Sequence, residues 1–252
     1  MSDPKREIAL VQFLPNAMTL GAIAAGVTAL RMAFAGNLDL AMLLILIAAI
    51  LDGLDGRIAR ALGSESLIGA ELDSLADLVN FGVAPASILG VWVLLEVPVF
   101  GWGAVLFYVI CAALRLARFN VGIKSGVIKD PRFFTGVPSP AGALLALSPV
   151  ILSNAFPMLT PPGLISGIWL IICGALMISR IPSFSLKMRI PRAWKKPGLI
   201  LLIGIFASLV FFPWSTLLAF NIAYAISIPV AARKAAQIAK VVTDPSETVA
   251  GE

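Results

Sequence analysis

Eight apolar stretches, at residues 14–35, 39–61, 69–95, 100–121, 137–156, 163–180, 197–213 and 215–233, leave little polar chain between them. Each is near the length of about 20 residues that carries a helix across the hydrocarbon of a bilayer. In lipid the backbone polar groups must be satisfied within the segment, so stretches of this kind fold as helices. Composition agrees: 59% of residues are hydrophobic and 13% are charged, against about 45–50% and 25% in soluble domains. The expected fold is all-α, a polytopic transmembrane helical bundle of about eight spans. It forms a single transmembrane domain over residues 1–242, and the polar, acidic segment 243–252 is expected to be a disordered tail. Residues 5–13 read as a short amphipathic helix on the membrane surface. The polar N-terminus shows no cleavage pattern, so the first span is expected to be retained.

The basic residues orient the bundle. Lys5 and Arg6 precede the first span, and Arg57 and Arg60 close the second. Arg118, Lys124, Lys129 and Arg132 lie between the fourth and fifth; Lys187, Arg189, Arg192, Lys195 and Lys196 lie between the sixth and seventh. Arg233, Lys234 and Lys240 follow the eighth, whereas the loops near Asn37, Glu96, Thr160 and Trp214 carry no Lys or Arg. Arg31 is the exception, placed where it can snorkel. Basic loops face the cytoplasm, so both termini are expected there, in the cell (inner) membrane. The net charge of +5 then reads as attraction to a membrane surface, not to nucleic acid.

Two features limit the chemistry. The chain has no histidine, and its two cysteines, Cys111 and Cys173, lie in separate apolar runs. These read as small core residues. Any catalysis must rest on Asp, Glu, Lys, Arg or hydroxyl groups.

The carboxylates gather at residues 52–77. Asp52 and Asp55 are three apart, and Asp73 and Asp77 are four apart, so each pair shares one face of its helix. The basic break at residues 60–68 joins the two spans as an antiparallel hairpin, which brings the pairs to similar depth beneath the cytoplasmic boundary. One Asp at a helix centre costs about 2.5–3.5 kcal/mol to insert. Four together are too costly without compensation, and Arg57 and Arg60 cannot neutralise them all. Divalent cations can, and an all-oxygen site suits Mg²⁺ or Mn²⁺. Two such ions would clamp the oxygens of an in-line phosphoryl displacement. Caps and surface carboxylates at the membrane edge are the plainer reading of any one of these residues.

Around them, Gly56 and Ala59 leave room for a flat base or a close backbone approach. Arg60 is placed to hold a phosphate, and Ser66 to donate to a phosphate or sugar. Gly69 either serves the same cleft or simply permits close helix packing. Glu71 falls off the face of Asp73 and Asp77.

The pattern Asp52-x-x-Asp55-Gly56-x-x-Ala59-Arg60, eight residues, Gly69-x-x-x-Asp73-x-x-x-Asp77 resembles the full motif of the CDP-alcohol phosphotransferases. That resemblance implies a six-helix catalytic core, usually as a homodimer, with Asp52, Asp55, Asp73 and Asp77 as metal ligands. It implies that Asp77 also acts as general base, and that Gly56, Arg60 and Ser66 contact CDP. The stretch Pro15-Asn16-Ala17-Met18-Thr19 is similar to the family's other donor-binding segment, which adds Asn16 and Thr19. Within the superfamily the chain is most similar to membrane-embedded bacterial phosphatidylserine synthases. That likeness rests on Glu71–Asp77 with Phe81-Gly-Val-Ala-Pro85, on Leu114-Arg115-Leu-Ala-Arg118-Phe-Asn120, and on Phe134-Thr-Gly-Val-Pro138-Ser-Pro140. It implies CDP-diacylglycerol and L-serine as substrates, an active site facing the cytoplasm, and the last two spans as an appendage. Asn80 stands where a serine is more often expected.

Arg115 and Arg118 suit a serine carboxylate, which an arginine grips with paired hydrogen bonds; anchoring at the inner interface is the other reading. Asn120 and Ser139 are candidates for the amino end of the acceptor. Three rival functions share these residues. They are the same chemistry on inositol phosphate, glycerol phosphate or choline, intramembrane prenyl transfer, and cation transport. Prenyl transfer needs a second Asp-rich motif, and transport favours matched halves; neither is found in the sequence.

Overall fold

The computed structural model describes residues 4–124, 133–184 and 195–243. The helices are α1 (Pro4–Phe34), α2 (Leu38–Leu62), α3 (Leu67–Asp77), α4 (Ala84–Trp92) and α5 (Pro98–Lys124). They continue with α6 (Ser139–Ala146), α7 (Ser148–Ala155), α8 (Gly163–Ile178), α9 (Lys195–Phe211) and α10 (Pro213–Thr243). Among the described residues four helical stretches are long and apolar enough to cross a membrane: Phe13–Phe34, Leu67–Trp92, Pro98–Gly122 and Pro213–Lys234. This is an all-helical membrane protein, with one departure among the described residues. Phe133–Thr135 (β1) and Pro182–Phe184 (β2) pair as a short antiparallel ribbon.

Each apolar stretch of the sequence contains helix, but in different forms. Residues 5–13 are not a separate surface helix; α1 runs through them without a break and contains Pro15. The expected tail lies outside the described residues, apart from Thr243 at the end of α10. The stretch 137–156 is two helices meeting at Leu147. Pro149 has no N–H to give the Leu145 carbonyl one turn back, and Trp169 Nε1 donates to that carbonyl at 2.7 Å.

The same physics shapes the third stretch. Pro85 cannot donate to Phe81 C=O, and the backbone there widens into a π-helical turn, Leu78–Val83. The freed carbonyl accepts the buried Tyr108 hydroxyl at 3.0 Å. Such turns break the α register and often mark functional sites. Here the turn begins immediately after Asp77.

Small residues set the close contacts. Ala22, Ala25, Ala29 and Ala33 form a buried stripe on α1 that packs against Ala41, Ile45 and Ala48 of α2. Without bulky side chains the two backbones approach closely, as membrane helices do. Cys111 and Cys173 are free and buried, as core residues should be. The helix α10 buries Leu217, Asn221, Ile228 and Ala231 on one stripe and packs on α6, α7 and the ribbon. It is part of the core and not an appendage.

Gly136 has φ of +78°, and a Cβ there would lie 2.6 Å from Met177 O and 2.9 Å from Ser179 O. Gly136→Ala is expected to cost about 1–3 kcal/mol and to lower the thermal midpoint in detergent. Gly103, with nothing within 4 Å of its would-be Cβ, is the control: its alanine variant should melt no lower than the parent.

Candidate active site

The turn between α2 and α3 brings the carboxylates together. Gly63 ends α2 in the left-handed region at φ 60°, its N–H returning to Ala59 and Arg60 carbonyls. That conformation suits glycine. Ser66 then caps α3, its Oγ accepting from Gly69 N at 3.0 Å, the favoured use of serine at this position. The antiparallel hairpin expected from the sequence is therefore closed by two local signals.

Asp55 is almost fully buried at 3% exposure. Its Oδ2 accepts from Thr19 Oγ1 at 2.6 Å and its Oδ1 from the Gly56 backbone N–H. Asp52 and Asp77 are side chain to side chain across the hairpin, and Asp52 is also within electrostatic reach of Asp73 and Asp55. Arg60 acts on Asp73, and Arg115 acts on Asp77. The four carboxylates, two from each helix, are thus within electrostatic reach of one another.

Beside them opens a cleft of about 400 Å³, within the size range of small-molecule sites. Asn16 and Thr19 line it from α1, Asp55, Gly56, Ala59 and Arg60 from α2, and Ser66, Gly69 and Asp73 from the turn and α3. All seven donor-binding candidates of the sequence are in this one wall. At Gly56 an added Cβ would meet only Arg60 Nη1, at 3.6 Å, so the missing side chain leaves open cleft. At Gly69 it would sit 3.0 Å from both Asn16 Oδ1 and Ser66 Oγ, so glycine there lets α1 and α3 meet. Ser64, Glu65, Ala70 and Phe119 also line the cleft. Sequence reasoning missed these because none stands out by charge pattern or spacing.

The acceptor candidates divide. Arg115 Nε donates to Val137 O at 2.8 Å and its Nη1 to Ser139 Oγ, with Ser139 buried. These bonds fix the guanidinium beside Asp77. Arg118 Nη1 instead donates to Ile178 O at 2.6 Å, at the end of α8, where a cation satisfies a terminal carbonyl. Asn120 Nδ2 donates to Ser74 Oγ at 3.0 Å. Arg115 and Ser139 are together next to the carboxylates; Arg118 and Asn120 are engaged elsewhere.

A divalent-metal centre is consistent with these donors. Asp52 Oδ1 is buried and has no hydrogen-bond partner, and such an atom is costly unless something binds it. The available ligands are all carboxylate oxygens, the chemistry that hard divalent cations prefer. Among the described residues no three carboxyl groups are gathered into a ready-made metal cage. Asp55 in particular is turned toward α1 by Thr19.

Comparison with known proteins bears on the same residues. The family model of the CDP-alcohol phosphatidyltransferases matches residues 12–179, the segment from α1 to the end of α8. A CDP-diacylglycerol–serine O-phosphatidyltransferase of Mycobacterium leprae is 47% identical over 176 residues, 68% of this chain and 58% of that protein. The protein of the same name from Mycobacterium tuberculosis strain H37Rv is 40% identical over 227 residues, 88% of this chain and 79% of the relative. One from Helicobacter pylori strain J99 is 38% identical over 201 residues, covering 78% and 81%. Both the matched segment and the facing aspartate pairs within it lead to one conclusion: this chain belongs to the CDP-alcohol phosphatidyltransferase family.

Proposed function

We infer that this protein transfers the phosphatidyl group of CDP-diacylglycerol to the hydroxyl of L-serine, giving phosphatidylserine and CMP. The observation that carries the chemistry is the set of four aspartates within electrostatic reach of one another, beside a cleft lined by every donor-binding candidate. The serine assignment rests on the names of relatives at 38–47% identity and on Arg115, held beside Asp77 where a serine carboxylate can be gripped.

In this reading Arg60 and Ser66 hold the diphosphate end of the donor, Gly56 and Ala59 leave space for the cytidine, and the acyl chains stay in lipid. Asn16 and Thr19 complete that wall from α1. Asp52, Asp55, Asp73 and Asp77 would hold two divalent ions, Mg²⁺ or Mn²⁺, which supply Lewis-acid neutralisation of the diphosphate charge. Asp77 takes the proton of the serine hydroxyl as its oxygen attacks the lipid-bearing phosphorus. The bond from that phosphorus to the bridging oxygen breaks, and CMP leaves with the electron pair. The neutral serine hydroxyl is a poor nucleophile near pH 7, so a positioned base matters.

The finer topology belongs to the same proposal: eight spans, both termini and the active site facing the cytoplasm, in the inner membrane, as a homodimer. The alternation of basic loops with loops that carry no Lys or Arg supports the orientation.

Purified protein in mixed micelles with CDP-diacylglycerol and labelled L-serine tests the function. CMP and labelled phosphatidylserine are expected in equal amounts. CMP release that needs inositol phosphate, glycerol phosphate or choline in place of serine would overturn the acceptor assignment. No CMP release with any alcohol would overturn the chemistry.

A further inference from the structure

We propose that Tyr224 of α10, outside the segment shared across the family, completes the acceptor site by hydrogen-bonding the acceptor alcohol beside Arg115. The inference deepens the function above and rests on its placement of the acceptor next to Asp77.

Three observations carry it. The first is an unspent group: the Tyr224 hydroxyl is buried and has no hydrogen bond of sound geometry. It lies beside Ser183, whose own hydroxyl donates to Gly136 O at 2.8 Å. A buried phenol usually finds a partner, and one without any is a candidate for binding something that comes and goes.

The second is what it faces. Tyr224 and Arg115 are close enough to interact. Arg115 uses Nε and one Nη1 hydrogen bond on Val137 and Ser139. Its five donors exceed those two bonds. Tyr224 and Asp77 each lie within reach of Arg115, so a hydroxyl and a carboxylate both neighbour that guanidinium. L-Serine presents a carboxylate, to which Arg115 and Tyr224 can both donate, and a hydroxyl, whose proton Asp77 takes in the function proposed above. Tyr224 lies nine residues before Arg233 and Arg115 nine before Lys124. At 1.5 Å per residue each lies about 13 Å along its helix from that basic residue.

The third is rigidity. Asn221, one turn earlier, donates from Nδ2 to Leu144 O at 2.7 Å and to Ser148 Oγ at 2.9 Å. These atoms flank the break between α6 and α7. With Leu217, Ile228 and Ala231 buried on the same stripe, α10 is pinned on both sides of Tyr224, so its hydroxyl is held in place before any ligand arrives.

The test is Tyr224→Phe in the full-length protein, a change that keeps the ring and removes one oxygen. KM for serine is expected to rise roughly ten- to a hundred-fold, the loss typical of a hydrogen bond to a charged group. KM for CDP-diacylglycerol and the melting midpoint should stay within about two-fold and a degree or two of the parent. Ethanolamine, which lacks the carboxylate, provides a second reading: if Tyr224 acts on the carboxyl end, the variant's preference for serine over ethanolamine shrinks. An unchanged KM for serine would overturn the proposal. So would equal losses for both substrates with a lowered midpoint, since that is a packing effect. If the parent enzyme uses another alcohol and not serine, the serine assignment fails; Tyr224 is then judged by the same ratio measured with that alcohol.

Discussion

Asp77→Asn is expected to reduce CMP release by roughly 10²–10⁴-fold, the usual contribution of a positioned general base, while the protein still inserts and folds. Asn has nearly the same volume and hydrogen-bonding reach, but it cannot accept the proton that the attacking hydroxyl must lose. The position makes the substitution informative. Asp77 is the last residue of α3 before the π-helical turn, it approaches Asp52 across the hairpin, and Arg115 lies beside it. Removing one negative charge from that cluster relieves repulsion, so the variant should melt no lower than the parent in detergent. Rate and stability then move independently. A variant that retains near-normal turnover would show that the base is another group. Asp73→Asn is the comparison: it also removes a charge, but from an exposed position next to Arg60. If Asp73 only holds a metal ion, added Mg²⁺ or Mn²⁺ should restore part of its activity, and none of Asp77→Asn.

The aspartate hairpin was legible because charge in an apolar run is too costly to be incidental. Helical spacing alone puts Asp52 with Asp55 and Asp73 with Asp77, and the structure closes the hairpin with residues whose local roles are standard, Gly63 and Ser66. The donor wall was legible for a different reason. Gly56, Ala59 and Arg60 are on the aspartate face, and Asn16 and Thr19 entered only through likeness to a family segment. The π-helical turn was not foreseen, though its cause, Pro85, stands in plain view. A proline shows that one carbonyl loses its donor, but not whether the chain kinks, breaks or widens. Pro85 gives a widened turn because Tyr108 is there to satisfy Phe81. Pro149 gives a break because Trp169 and Asn221 satisfy the carbonyls around it.

Side chains that act at a distance were the least legible. Arg115 and Arg118 are three apart on one helix and look equivalent in sequence. The structure separates them, since Ser139 and Val137 hold the first near Asp77 and the end of α8 takes the second. Tyr224 is harder still. A tyrosine in an apolar span reads as an interfacial anchor. Only the packing of α10 on the α6–α7 break brings it within reach of Arg115.

Removal of divalent cations is expected to abolish activity altogether, and the argument is electrostatic. Among the described residues two guanidinium groups, Arg60 and Arg115, act on the aspartate cluster. That leaves about two negative charges uncompensated next to an apolar bundle. Each such charge at a helix centre costs about 2.5–3.5 kcal/mol on insertion scales, so a ligand that neutralises them binds the folded state strongly. Exhaustive treatment with EDTA should bring CMP release to background, and Mg²⁺ or Mn²⁺ should restore it. A second readout does not depend on turnover. A cation that binds only the folded protein stabilises it as its concentration rises above Kd, by about 2.7 kcal/mol at a hundred-fold excess, and the melting midpoint rises with it. That rise should be present in the parent and in Asp77→Asn at reduced size. It should be lost when Asp52, whose Oδ1 is buried without a partner, is replaced together with Asp55. If the chelated protein still releases CMP, and its midpoint ignores added metal, the carboxylates are compensated in some other way and their assignment as ligands is wrong.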